Sequence, residues 1–179
     1  DTYRSGVAKE AIEAGAHIIN DISGGTMDGS MFETIASLKV PYILMHIHGT
    51  PQTMQDSPIA SDVTKKVRKF FIRQLEKLNS LGVSEVILDP GFGFGKTLES
   101  NYQLLKEMKE TRINQLPILT GISRKSMINK ALNTTPKEAL NGTTSLNTMA
   151  LLSGANILRV HDVREAAECI KLVQQYQKA

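Results

Sequence analysis

The sequence predicts an α/β protein, a TIM-type (β/α)8 barrel of which about five βα units lie in this chain. Three observations predict it. Short apolar runs alternate with helical patterns, the runs are apolar throughout, and nearly every run ends in polar, chemically able residues. Continuous apolar runs mark strands covered on both faces, as in parallel sheets. Repeated βα units build either a doubly wound open sheet or a barrel. An open sheet gathers its ligand groups mainly at one switch point. A barrel opens every strand's C-terminal end onto one site, so polar endings on all five runs favour the barrel.

The elements follow in order. The first helical pattern carries Val7, Ala8, Ala11 and Ile12 and stops at Gly15. The first strand run, His17–Ile22, contains Asn20 and Asp21; the second, Pro41–His46, ends in His46. Ser61 or Asp62 caps the longest helix, Val63, Val67, Phe70, Phe71, Leu75, Leu78 and Leu81 face inward, and Gly82 ends it. The third run is Glu85–Asp89, and the fourth, Pro117–Ile122, leads into Ser123. Pro136 suits the first turn of a helix after Thr134 or Thr135, with Gly154 at its end. The fifth run, Asn156–Val160, carries Arg159, with His161 just beyond. Asp162 caps the last helix, with Val163, Ala166, Ala167, Ile170, Val173 and Tyr176 inward. No linker or low-complexity tract intervenes, so residues 1–179 read as one domain. A barrel needs eight strands and this chain supplies five. The expectation is that two or three further βα units precede Asp1, where no initiator Met stands.

Composition narrows the function. The 179 residues are 41% hydrophobic and 22% charged, ordinary for a soluble globular domain. The net charge of +3 is spread along the chain. Its densest stretch, Lys65-Lys66-Val67-Arg68-Lys69, reads as a solvated helix face rather than a nucleic-acid patch, which would want aromatics or more Arg on one surface. A mild positive balance suits small anionic substrates. The single cysteine, Cys169, excludes an intrachain disulfide and fits a reducing compartment, and no signal peptide is visible, so the expected location is cytoplasmic. No apolar run approaches the ~18 residues of a membrane span.

Four motifs carry the chemistry. Asp89-Pro90-Gly91-Phe92-Gly93-Phe94-Gly95-Lys96 imitates a phosphate loop but fails both patterns: Pro90 stands where the Walker sequence needs Gly, and Lys96 where the dinucleotide sequence does. A carboxylate ending a buried strand, before glycines that admit close backbone approach, suits a ring with several N–H donors; a tight turn with a capping Asp suits it equally. Gly121-Ile122-Ser123-Arg124-Lys125-Ser126 sets hydroxyl and cationic groups at a strand end, a natural contact for an anion or polar ring. Arg159 and His161, two apart and beside a helix start, form a diphosphate pocket. The alternative pairs Arg159 with a carboxylate and buries His161. His46-Ile47-His48 has metal-ligand spacing, but later strands end in Asp89 and Ser123 and the chain holds only four histidines, which disfavours a metal hydrolase. His17 starts a strand and has no assigned role. The methionines form no stripe and read as packing.

These residues resemble a known family. Asp1-Thr2-Tyr3, Ile19 to Gly25, Met45 to Gln55, Asp89 to Lys96, Ser123 to Ser126 and Arg159 to Asp162 are similar, in order, to the successive motifs of the dihydropteroate synthases. In that family the residue at position 48 varies, which makes His48 incidental. The resemblance implies condensation of 6-hydroxymethyl-7,8-dihydropterin diphosphate with p-aminobenzoate, giving 7,8-dihydropteroate and pyrophosphate in folate biosynthesis. It implies Mg²⁺ assistance, sulfonamides at the aminobenzoate position and a homodimer through late helices. It implies pterin contacts from Asp1, Asn20, Ile22, Met45, Asp89, Gly121, Lys125 and Arg159. Asn20, Arg159 and His161 would meet the diphosphate, and Phe94, Ser123 and Lys125 the aminobenzoate. Lys125, Arg159 and His161 are the implied catalytic groups. The main Mg²⁺ ligand is expected in N-terminal loops that precede these residues. Two rivals remain: a pterin-dependent methyltransferase, which needs no anion pair because it releases no diphosphate, and a non-enzymatic binding module.

Overall fold

The computed structural model describes residues 1–179. The order is α1 (Ser5–Glu13), β1 (Ile19–Asp21), α2 (Met31–Leu38), β2 (Tyr42–Met45), α3 (Val63–Ser80), β3 (Val86–Asp89), α4 (Leu98–Lys106), β4 (Leu119–Thr120), α5 (Ser126–Leu132), α6 (Leu140–Leu152), β5 (Ile157–Leu158) and α7 (Val163–Lys178). Each strand is shorter than its apolar run because only the central residues pair.

All pairings are parallel. β1 pairs β2 and β2 pairs β3, β4 pairs β5, and a Leu88–Ile118 bridge joins the two groups. The spatial order is therefore the chain order, without the reversal that defines a doubly wound sheet. The sheet also curves. Strands lie about 4.8 Å apart, so a flat sheet would hold β1 and β5 roughly 19 Å from each other. Instead Arg159 Nη1, just past β5, lies 3.4 Å from Asn20 Oδ1 on β1.

Side chains alternate across this arc. Ile19, Tyr42, Leu44, Val86, Leu88 and Ile118 face the helices and join a core of 27 buried residues that includes Phe71, Leu75 and Leu78 of α3. Burying a side chain the size of Phe71 stabilises by about 1.5–3 kcal/mol. The opposite parity sends Asn20, Ile43, Met45, Asp89, Leu119, Gly121 and Arg159 to the concave side.

Several helix details differ from expectation. Asp62 precedes α3 with φ +53 and caps nothing; its carboxylate lies 3.5 Å from Lys65 instead. Leu81 is exposed, because α3 ends at Ser80. Pro136 opens a separate 3₁₀ turn with a Thr135–Glu138 capping box, and α6 starts later at Leu140. On α7 only Ala166, Cys169 and Val173 are buried. Val163, Ala167 and Tyr176 are exposed, because α7 packs chiefly on α6 and one narrow stripe covers that contact. Asp162 stands at the start of α7 without capping it. No helix is long and apolar enough to cross a membrane.

Candidate active site at the strand ends

The C-terminal ends of the strands converge on Asp89. Its residue is 1% exposed, and Oδ1 accepts a 2.8 Å hydrogen bond from the Gly91 N–H. Oδ2 has no hydrogen-bond donor, although Arg159 Nη2 lies 2.9 Å away as an ion-pair partner. Oδ2 thus keeps unused acceptor capacity on the concave side of the sheet, where Arg159 supplies charge but no aligned donor. The alternative that sequence reasoning placed second, Arg159 paired with a carboxylate, is thus the arrangement of the free protein. Glycine at 121 follows from it: a Cβ there would lie 2.7 Å from Arg159 Nη2.

Asn20 sits at the other side of the cleft. Its Nδ2 donates to Asp1 Oδ1 at 2.9 Å, while Oδ1 meets Arg159. One amide thus serves an acceptor and a donor. Its neighbour Asp21 faces the helices and has a structural task. Tyr42 Oη, Ser23 N, Ser23 Oγ and Gly25 N all donate to its carboxylate. Burial, with the Asp21 charge adding to it, pushes the Tyr42 hydroxyl well above its ordinary pKa.

Lys125 crosses from the β4 end to the glycine loop. Its ammonium donates to the Phe92 carbonyl and lies 4.6 Å above the Phe94 ring. Burial lowers its pKa to about 8, opposed by Asp89 and assisted by Arg159. Ser123 is buried and bonds His161 twice: its Oγ accepts from the His161 N–H at 3.2 Å and lies 2.9 Å from Nδ1. A hydroxyl that donates to Nδ1 leaves Nε2–H as the ring's remaining donor. His161 itself is exposed and makes no hydrogen bond to Arg159. Ile22 is half-buried, and Met45 and Gly121 are buried.

The structure withdraws Arg124 from the expected anion contact. With φ +57, it turns away and binds Asp162 through Nε at 3.0 Å and Nη2 at 2.8 Å. Nη1 donates to the Pro136 and Lys137 carbonyls. This fork holds Asp162 below the usual carboxylate range and accounts for its failure to cap α7. Arg124 therefore fastens the loop after β4 to the start of α7, and Lys125 and His161 sit on either side of that fastening.

Sequence reasoning missed Lys96. Its residue is 4% exposed, and Nζ contacts Gly91 O at 2.7 Å, Phe94 O at 3.1 Å and His46 Nδ1 at 3.0 Å. Three acceptors match an ammonium's three N–H groups. A neutral amine satisfies the same three contacts by accepting from a His46 Nδ1–H. Burial lowers the Lys96 amine to about 7, and burial together with Lys96 keeps His46 well below its usual value. His46 is thus bound to Lys96 and buried, whereas His48 is exposed; the two do not form a metal pair. No group of three His, Cys, Asp or Glu side chains in this chain is placed to hold a cation.

Fold and cleft together define a parallel α/β protein whose strand ends converge on one buried carboxylate and its cation. The pterin binding enzyme family matches residues 1–161, and the chain belongs to that family. It is 43% identical over 176 residues to a dihydropteroate synthase of Escherichia coli K12, covering 97% of this chain and 62% of that relative. The crystal structure of Yersinia pestis dihydropteroate synthase with a sulfonamide drug complex matches with TM-score 0.95 at 40% identity, over 100% of this chain and 66% of that one. The Xanthomonas albilineans enzyme with 4-aminobenzoic acid matches with TM-score 0.91 at 31% identity, over 100% and 64%. The chain thus spans less than two thirds of the length of the E. coli enzyme.

Proposed function

We propose that the complete protein condenses 6-hydroxymethyl-7,8-dihydropterin diphosphate with p-aminobenzoate, giving 7,8-dihydropteroate and pyrophosphate. The observation that carries this reading is the buried Asp89 carboxylate, with one oxygen lacking a donor, beside the Arg159 guanidinium. The 4-aminobenzoic acid and sulfonamide complexes of similar enzymes, and the pterin-binding family itself, support the same substrates. Sequential parallel order and the curvature of the arc support completion into an eight-stranded barrel.

On this reading Asp89, Asn20 and Asp1 take the pterin ring's N–H and amino groups, with Ile22, Met45 and Gly121 walling the slot. Lys125 donates to a ring acceptor while its stem, with Phe94 and Ser123, borders the aminobenzoate. Arg159, released from Asp89 by the ring, and His161 Nε2–H face the diphosphate. The pterin methylene–oxygen bond breaks, its electron pair leaves with pyrophosphate, and the aniline nitrogen attacks the methylene and then loses a proton. An aniline is uncharged at neutral pH and needs no strong base, so Arg159 and His161 act by stabilising the leaving charge. Mg²⁺ belongs to the proposal as the diphosphate's companion. No three of this chain's His, Cys, Asp or Glu side chains are grouped to hold it, and an Mg²⁺ held mainly through substrate phosphates needs no such group. Exposed Leu172 and Tyr176 on one side of α7, with Met149 and Leu152 on α6, offer apolar side chains for a second copy. A reducing, cytoplasmic setting fits the buried free Cys169.

The test uses the complete gene product and follows pyrophosphate with both substrates and Mg²⁺ supplied. Release that requires p-aminobenzoate is expected. A folded protein that binds pterin and releases none would point to methyl transfer or simple binding. A pH profile checks Lys125 separately. Its ammonium is present below its lowered pKa, so kcat/KM for the pterin substrate should fall as pH rises through about 8. Lys125→Met should give a lower, flat profile over that range; a falling limb unchanged in the variant would assign it elsewhere.

A further inference from the structure

We propose that Lys96 is a positioning residue for the aminobenzoate side of the cleft, holding the glycine-rich loop so that Phe94 stays seated beside Lys125. The proposal rests on the assignment of Phe94 to that side.

The loop from Gly91 to Gly95 needs such a holder. Gly91, Gly93 and Gly95 all have positive φ, at +70, +82 and +66, so three of its five residues impose little conformational restraint of their own. Gly91 is also pressed against β2: a Cβ there would lie 1.9 Å from the His46 carbonyl oxygen. The loop stays in place through tethers from outside. Asp89 Oδ1 takes the Gly91 N–H, Asn101 Oδ1 takes the Gly93 N–H at 2.7 Å, and Gln55 Nε2 donates to Gly93 O at 3.3 Å. Only Lys96 grips two loop carbonyls at once, those of Gly91 and Phe94, and ties both to His46 at the end of β2. Holding the Phe94 carbonyl holds the backbone from which its ring projects. That ring is the one under the Lys125 ammonium. Lys96 itself is buried, and it reaches the aminobenzoate side only through the Phe94 backbone carbonyl, not through a side chain assigned to substrate. It therefore acts through Phe94 rather than on a reacting atom.

The experiment uses the complete protein and the variants Lys96→Met, Phe94→Leu and their combination. Met keeps the length of the side chain and removes its donors. In Lys96→Met the KM for p-aminobenzoate should rise roughly tenfold, while that for the pterin diphosphate stays within about twofold. Amide hydrogen exchange across residues 91–95 should quicken, with α3 and α7 unchanged. The combined variant should be no worse for p-aminobenzoate than Phe94→Leu alone, because both changes disturb one contact surface. Equal rises in both KM values, unchanged loop exchange, or additive effects would each overturn the proposal. If Lys96→Met does not fold, His46→Leu decides: it removes the third contact only, and should produce a smaller rise in the same KM with faster loop exchange. If the parent protein condenses nothing, the functional reading fails on that observation, and loop exchange still decides whether Lys96 holds the loop.

Discussion

Asp89→Asn should lower kcat/KM roughly 10³-fold in the complete protein while leaving the fold intact. The asymmetry of the two carboxylate oxygens makes the case. Oδ1 accepts from the Gly91 N–H, and an asparagine carbonyl would keep that bond. This fixes the amide's orientation and puts an NH₂ where Oδ2 now stands. The acceptor facing the cleft becomes a donor, opposed to the N–H groups of any ring held there. Stability should change little. Replacing a buried charge by a neutral group of the same shape removes a desolvation cost along with the ion pair, and Arg159 retains contact with water. The check is calorimetric titration with pteroic acid beside a thermal melt. Near-parental pteroic acid affinity in a folded Asp89→Asn protein would contradict the assignment of Oδ2.

The second large effect is expected at Arg159. Arg159→Leu should reduce kcat by roughly 10²–10³-fold, the size seen when one donor to a developing anion is removed. Pteroic acid carries no diphosphate, so its affinity should fall far less than kcat. The Leu variant also leaves Asp89 buried without its cation, which costs about 1–3 kcal/mol after allowing for the exposure of the arginine. Arg159→Lys should restore that stability but not the rate, because an ammonium is a point charge without the planar fork. Equal losses in kcat and pteroic acid affinity would remove the leaving-group role and leave Arg159 as a ring contact alone.

The parts of the molecule that were legible in sequence are those with local periodicity. Apolar runs marked the strands, and their polar endings marked Asn20, Asp21, Asp89 and Arg159 before their meeting point was known, without deciding which of Asn20 and Asp21 faces the concave side. Long-range pairing was not legible. Asp162 looked like a helix cap, yet its partner is Arg124, 38 positions away. Arg124 looked like a ligand contact because nothing local announces its left-handed backbone. Lys96 registered only as a mismatch to two phosphate-loop patterns, although a lysine closing a run of three glycines is a usable sign that loop carbonyls need a donor. On α7 the apolar pattern was read correctly as helical. It overstated burial because only one neighbouring helix covers it.

The contact of one guanidinium with both Asn20 and Asp89 makes loading of the cleft an exchange rather than an insertion. On the proposed assignment, a ring that takes the Asp89 oxygen competes with a cation already seated there, so its measured affinity is net of that competition. The displaced guanidinium is then free, at the same mouth, for an incoming anion. By linkage, whatever anion prefers the displaced arginine tightens the ring, and the ring tightens the anion by the same factor. On the proposed reading, cooperation between the two halves of the substrate rests on that single side chain.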